Sequence, residues 1–258
     1  LTPDPKPGRA SKPEARANSI LDKLLRQHPI PTLEDSGFYV DPLVWNRLIF
    51  GVNRKDNILL VGDSGSGKTE LAYLVSKQFG LPLEMFDMGS KQDPVASLIG
   101  THRHNTAKGG SYFSRARFSY AIEKPGMILL DEISRPSPLT NNLLLPLLDF
   151  RRVLQMDLAT EEEDSQIKVH EDCRFLATAN IGFEYSGTQP MDRAVTERFR
   201  TIEISYPPAE DEAHLVRMRT QSGKRDTDVI IKIANIIREL KNAGELSTGV
   251  SVRHTLDA

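Results

Sequence analysis

Gly62-Asp63-Ser64-Gly65-Ser66-Gly67-Lys68-Thr69 fixes the reading of the rest of the chain. These eight residues satisfy the pattern GxxxxGK[ST] without a gap. The glycines let a loop curl so that successive backbone N–H groups converge on phosphate oxygens. Lys68 would bring a full charge to the outer phosphates, and the Thr69 hydroxyl is a hard oxygen donor of the kind that ligates Mg²⁺. The flanks agree with this reading. Ile58-Leu59-Leu60-Val61 is a short apolar run typical of a buried strand. After the loop, Leu71, Leu74, Val75 and Phe79 recur at helical spacing, and Gly80 reads as the stop. A strand, a glycine-rich turn and a helix in that order are the context in which such a loop binds a nucleotide, with the helix N-terminus adding its positive end.

A second chemical signal lies downstream. Met127-Ile128-Leu129-Leu130-Asp131-Glu132 reads as a buried strand ending in two adjacent carboxylates. Beside a phosphate loop, Asp131 suits the holding of Mg²⁺ through its water shell. Glu132 suits a general base for an attacking water, which favours hydrolysis over phosphoryl transfer to another acceptor. Phe175 to Asn180 reads as a third strand with Asn180 at its carboxyl end, where an amide positions water or simply occupies a turn; spacing does not separate the two. Arg193, Arg198 and Arg200 cluster just before an outer strand. By position alone they read as surface ion-pair residues, with action on a neighbouring molecule's nucleotide as the alternative.

Working outward, strands are expected at Leu83 to Met88 and Thr201 to Ser205, and helices at Tyr112 to Lys124 and Leu139 to Phe150, the latter broken or kinked near Pro146. Strands alternating with helices specify an α/β fold, a parallel sheet flanked by helices. Asp41-Pro42 reads as a helix start with Leu43, Trp45, Leu48 and Ile49 inward. After Pro207-Pro208 all is helical: Ala209 to Thr220, a helix capped by Asp226 with Ile230, Ile233, Ile237 and Leu240 on one face, and a third beginning near Ser251. The expected domains are a basic, proline-rich arm with a short helix (1–35), an α/β nucleotide-binding domain (36–208) and a small all-α lid (209–258) that is incomplete at Ala258.

Composition sets outer bounds. With 258 residues, 39% apolar and 26% charged, the chain suits a globular protein, and no apolar run approaches the roughly 18–20 residues that span a bilayer. A net charge of −2 gives no electrostatic case for nucleic acid as the main partner. A single cysteine, Cys173, excludes an internal disulfide framework, and with no visible secretory signal the default expectation is a cytoplasmic protein.

In their order along the chain these motifs resemble the P-loop ATPase domain of the AAA+ superfamily, and more narrowly its MoxR-like branch. The resemblance rests on GDSGSGKT (Gly62 to Thr69), LLDEISR (Leu129 to Arg135), FLATAN (Phe175 to Asn180), GTQP (Gly187 to Pro190), ERF (Glu197 to Phe199) and VSVR (Val250 to Arg253). LIGTHRH (Leu98 to His104) is similar to the branch's insert between the second and third motif strands. CobS cobaltochelatase subunits, CbbQ rubisco activators and gas-vesicle ATPases are similar in these respects. The resemblance covers roughly residues 40 to 258. It implies ATP and Mg²⁺ as ligands, Asn180 as the first sensor and Arg253 as a second sensor reaching from the lid. It also implies Arg198 as an arginine finger acting on the adjacent subunit, Arg193 as a second candidate finger, and a homo-oligomeric ring, most often a hexamer, that works on a client protein.

The remaining features are weaker. His102 and His104 lack further ligands nearby and read as solvated loop residues. Lys108-Gly109-Gly110 with Arg115 and Arg117 reads as a charged loop. Glu161 to Asp164 reads as the acidic tip of a hairpin between Arg152 to Asp157 and Gln166 to His170. The resemblance makes this hairpin and the insert the candidates for touching a client. The expected function is Mg²⁺-dependent ATP hydrolysis by a ring that remodels a partner. The rival is a DNA-directed ATPase, supported by the basic arm at residues 6 to 16, and a small-molecule kinase stands against the Asp131-Glu132 pair.

Overall fold

The computed structural model describes residues 22–89, 93–104, 110–134, 138–156, 165–180 and 192–258. In chain order, residues 22–27 are helical (α1), followed by α2 (Leu33–Ser36), α3 (Pro42–Asn53), β1 (Ile58–Gly62), α4 (Lys68–Phe79), β2 (Leu83–Asp87), α5 (Pro94–Leu98), β3 (Gly100–His104) and β4 (Ser111–Arg115). Then come α6 (Arg117–Ala121), β5 (Gly126–Asp131), α7 (Pro138–Leu148), β6 (Val153–Gln155), β7 (Gln166–Lys168), β8 (Cys173–Asn180), α8 (Arg193–Thr196), β9 (Arg200–Glu203), α9 (Ala209–Thr220), α10 (Lys224–Asn242) and α11 (Val252–Asp257).

Five strands pair in parallel in the order β2-β5-β8-β1-β9. Alternate residues of each strand face opposite sides of the sheet. Leu59, Ile128, Leu130, Phe175 and Ala177 therefore join one core with α6 and α7. Ile58, Leu60, Met127, Leu129 and Leu176 join another with α3 and α4. Burial on both faces is why the central strands β5, β8 and β1 are largely apolar. Because β8 inserts between β1 and β5, strand order reverses there, which opens a crevice at the carboxyl ends of the strands. Gly62, Asp131 and Asn180 all lie at that edge, Gly62 and Asn180 as register partners.

Local sequence explains the entry to this core. Asp41 accepts hydrogen bonds from the N–H groups of Leu43 and Val44, and Pro42 opens α3. Trp45 is fully buried, and its indole N–H donates to the His28 carbonyl at 3.0 Å, tying the segment after α1 to the sheet. Gly80 takes the left-handed conformation that ends α4.

Several expectations need correction. The segment from Tyr112 is not helical at its start: Ser111–Arg115 pairs antiparallel with Gly100–His104, and only Arg117–Ala121 is helix. Pairing with β3, across which the His102 and Phe113 rings meet edge-on at 5.3 Å, outweighs the local pattern. α7 is not broken at Pro146, whose missing N–H frees a carbonyl on exposed Asn142, and it ends at Leu148 rather than Phe150. Leu43 is 59% exposed. α10 starts at Lys224 with Gly223 as its cap, and Asp226 sits in its first turn. Its expected apolar stripe lies at the edge of the inner face: Ile230, Ile237 and Leu240 are half-buried and Ile233 is 52% exposed, while Thr227, Ile231, Ala234 and Arg238 are buried. β6 and β7 form the expected hairpin; its acidic tip, the basic arm, Lys108-Gly109 and the GTQP segment lie outside the described residues.

Candidate active site

The loop between β1 and α4 is shaped by its glycines. Gly65 and Gly67 have φ of +72° and +86°, and a Cβ on Gly67 would come within 2.2 Å of the Phe38 ring. A Cβ on Gly65 would lie 2.7 Å from the Ser251 Cβ. The loop is thus sandwiched between the segment before α3 and the N-cap of α11, with no room for side chains at either glycine. The Tyr206 hydroxyl donates to the Ser64 carbonyl at 3.1 Å, and Lys241 of α10 pairs with Asp63 at 2.9 Å.

Lys68 is the first helical residue and is 8% exposed. Its ammonium donates to the carbonyls of Gly62 at 3.0 Å and Asp63 at 2.7 Å. Burial pulls it from 10.5 down to about 8, against the upward influence of the Asp63, Asp131 and Glu132 carboxylates. The Ser66 hydroxyl is buried and, among the described residues, has no hydrogen-bond partner. A buried cation and an orphaned hydroxyl at a helix N-terminus make a cradle suited to phosphate. Thr69 is exposed on the first turn of α4. Hard oxygen donors in small number, the Thr69 hydroxyl and the Asp131 carboxylate, fit Mg²⁺, which binds through one or two protein oxygens together with substrate phosphates.

Thr178, in β8, supports the acidic strand end. Its hydroxyl donates to Asp131 and accepts from the Glu132 N–H at 3.0 Å. Glu132 has φ of +57°. Asn180 closes β8 opposite Gly62.

A cavity of about 670 Å³ adjoins the loop, lined by Gly65, Ser66 and Gly67, by Phe38, Tyr39 and Val40, and by Tyr206, Leu215, Arg253 and Leu256. Its aromatic and aliphatic walls beside a phosphate cradle suit a nucleobase and ribose. No short motif marks this wall in the sequence, because it is assembled from segments far apart in the chain.

The arginines lie elsewhere. Arg253 is exposed on α11 at the cavity wall. Arg198 precedes β9, and its carbonyl accepts from the Asn57 amide at 3.1 Å, which places it at the amino end of β1, opposite the phosphate loop. Its guanidinium donates to the Ala194 carbonyl and lies 3.7 Å from Asp149, while its buried Nε has no hydrogen-bond partner among the described residues. Asp149 is held below the usual carboxylate range, mainly by hydrogen bonding from Arg151. Arg193 is 90% exposed and pairs with Glu197 at 2.7 Å; Arg200 pairs with Asp56 at 2.9 Å. The structure therefore brings Gly62 to Thr69, Asp131, Glu132, Asn180 and Arg253 to one edge, and leaves Arg193 and Arg198 apart from it. Sequence reasoning missed Phe38, Thr178, Tyr206 and Lys241. Of these only Thr178 left a trace, a hydroxyl within the apolar run FLATAN.

Residues 57–199 match the family described as AAA domain (dynein-related subfamily). BssE of Thauera aromatica, named as a candidate chaperone, is 31% identical over 202 residues, covering 78% of this chain and 67% of its own length. The gas vesicle ATPase GvpN of Ancylobacter aquaticus is 27% identical over 211 residues, covering 76% of this chain and 57% of GvpN. The crystal structure of a candidate ATPase from Cytophaga hutchinsonii shares the fold with a TM-score of 0.55 at 20% identity, over 87% of this chain and 67% of that one. Among the described residues, no helix is long and apolar enough to cross a membrane.

Proposed function

This chain belongs to the dynein-related AAA domain family and is an ATPase, and from that premise we propose a Mg²⁺-dependent ATPase of the MoxR-like kind that works as a ring of identical subunits and remodels a partner protein. The observation that carries the proposal is the buried Lys68 ammonium, held among the described residues by the loop carbonyls of Gly62 and Asp63 and ringed by Asp63, Asp131 and Glu132 at the switch point of the sheet.

Each residue then has a task. The N–H groups of Gly62 to Gly67, with Lys68, grip the phosphates. Thr69 and Asp131 hold Mg²⁺, which when bound draws charge from the phosphate oxygens. Glu132 orients a water and accepts its proton, and Asn180 keeps that water in line. Arg253 approaches from the α9–α11 lid, and Arg198 serves the neighbour's nucleotide, with Arg193 as its competitor for that role. The chaperone and gas-vesicle names of the two relatives favour a protein client.

Glu132→Gln tests the chemistry. ATP binding should persist while turnover falls on the order of 10²- to 10⁴-fold. Turnover at the original rate would remove Glu132 from the role of base. A pull-down with this variant held in ATP should retain the client.

A further inference from the structure

Thr178 holds more of the catalytic strand end than its place in an apolar run suggests. It is 2% exposed on β8, where it pairs with Leu60 of β1, and three further polar contacts reach across to the residues that leave β5. Its Oγ1 donates to Asp131 Oδ1 and accepts from the Glu132 N–H at 3.0 Å, and the Thr178 carbonyl accepts from the Ile133 N–H at 2.9 Å. A hydroxyl has one proton and two lone pairs. Here the proton is committed to one carboxylate oxygen, which fixes the Asp131 rotamer and leaves Oδ2 for other ligands. The lone pair anchors the backbone where Glu132 turns into the left-handed region, a conformation costly for a residue with a side chain and sustained only by its surroundings.

We propose that Thr178 is a positioning residue for ATP hydrolysis: one buried hydroxyl sets both the metal-holding carboxylate of Asp131 and the backbone turn that presents Glu132. The proposal rests on the assignment of Asp131 and Glu132 above. Removing the hydroxyl frees the Asp131 carboxylate to rotate and leaves the Glu132 N–H unpaired, so cation affinity and chemistry fall together while the phosphate grip, which lies on β1 and α4, is untouched.

The test uses Thr178→Val and Thr178→Ala, which lack the hydroxyl with and without the original volume, Thr178→Ser, which keeps it, and Glu132→Gln. Three quantities are measured on each folded variant: the affinity for a fluorescent ADP analogue in EDTA, the free Mg²⁺ concentration at the midpoint of the change in that affinity when Mg²⁺ is titrated in without EDTA, and steady-state kcat. The Val and Ala variants should both raise the Mg²⁺ midpoint and lower kcat, each on the order of ten- to a hundredfold, as loss of a residue supporting a metal ligand does. Their affinity in EDTA should match wild type, and Ser should restore both quantities. Mg²⁺ midpoints and kcat unchanged in Val and Ala overturn the proposal, and so does a Ser variant as impaired as Val, which would assign the effect to side-chain shape. Glu132→Gln separates this from the underlying assignment: turnover retained in that variant sinks the assignment itself, whatever the Thr178 variants do.

Discussion

At the scale of single residues, the phosphate cradle is held in a state that disfavours the ligand-free fold. Lys68 needs its charge for phosphate, yet burial lowers its folded value to about 8 from 10.5. Between those two values the unfolded chain keeps a proton that the folded chain has released. The ligand-free protein should therefore gain stability as pH rises from about 8 to 10.5, and carry the full penalty of a buried ammonium below about 8. Lys68→Met should raise the ligand-free unfolding midpoint at pH 7, lose this pH-dependent increment and abolish nucleotide binding. Guanidinium unfolding of both proteins at pH 7.5 and 9.5 isolates the effect, since other titrating groups cancel in the difference. Identical pH slopes in the two would mean that Lys68 does not release its proton on folding. Nucleotide affinity should run the opposite way and weaken above about pH 8, because phosphate binds the ammonium form.

At the scale of elements, one guanidinium assembles the C-terminal helices. Arg238 of α10 makes paired hydrogen bonds of 2.6 and 2.8 Å to Glu212 of α9, donates to the Val250 carbonyl at 2.7 Å and lies 4.4 Å from the Tyr206 ring centroid. Thr255 of α11 donates to the same fully buried carboxylate at 2.8 Å. The apolar core of these helices is small, chiefly Ala213, Val216 and Ile231, so the ion pair decides their mutual placement. Arg238→Met would leave the Glu212 charge buried and unpaired, at a cost of about 3–5 kcal/mol. Hydrogen exchange should then quicken across α9–α11 while the amides of β1, β5 and β8 stay protected; equal quickening throughout would deny the helices any independence. This cluster also marks where sequence reading stops. α9 was legible to its last residue, and β1, β5, β8 and the caps at Asp41 and Gly80 were legible, because each is specified by neighbours in the chain. The isoleucine stripe of α10 reads as an inner face, but the inner face carries Arg238, whose partner lies 26 residues away. The strand Ser111–Arg115 exists through pairing with Gly100–His104. The site divides in the same way: Gly62 to Thr69 and Asp131-Glu132 are contiguous signals, whereas Thr178, Lys241 and Phe38 act through contacts that no spacing encodes.

At the scale of the molecule, the two ends of β1 pose a problem of reach. Gly62 opens the phosphate loop at one end, and Asn57, bonded to the Arg198 carbonyl, stands at the other. Five strand residues separate them by about 16 Å, so Arg198 does not serve the loop of its own chain. On the proposed role of Arg198 as a shared finger, a subunit that grips phosphate at one edge and offers an arginine from another would have its site completed where that second surface meets the first surface of a copy. Such a head-to-tail contact closes into a ring when the rotation permits. The consequence is quantitative. Lys68→Ala subunits retain the arginine but not the grip, and Arg198→Ala subunits the reverse, so each alone should be inactive. In an equimolar random mixture, a site is whole only where an Arg198→Ala subunit meets the finger of a Lys68→Ala neighbour, which is about one interface in four. Mixed rings should therefore recover about a quarter of wild-type turnover, measured after subunit exchange has been verified by mass. A mixture that exchanges yet stays as inactive as its parents excludes Arg198 as the shared residue. Repeating the mixture with Arg193→Ala in its place then decides between the two arginines: recovery there assigns the role to Arg193, exposed at the start of α8, and failure there as well would mean that neither arginine completes a neighbour's site.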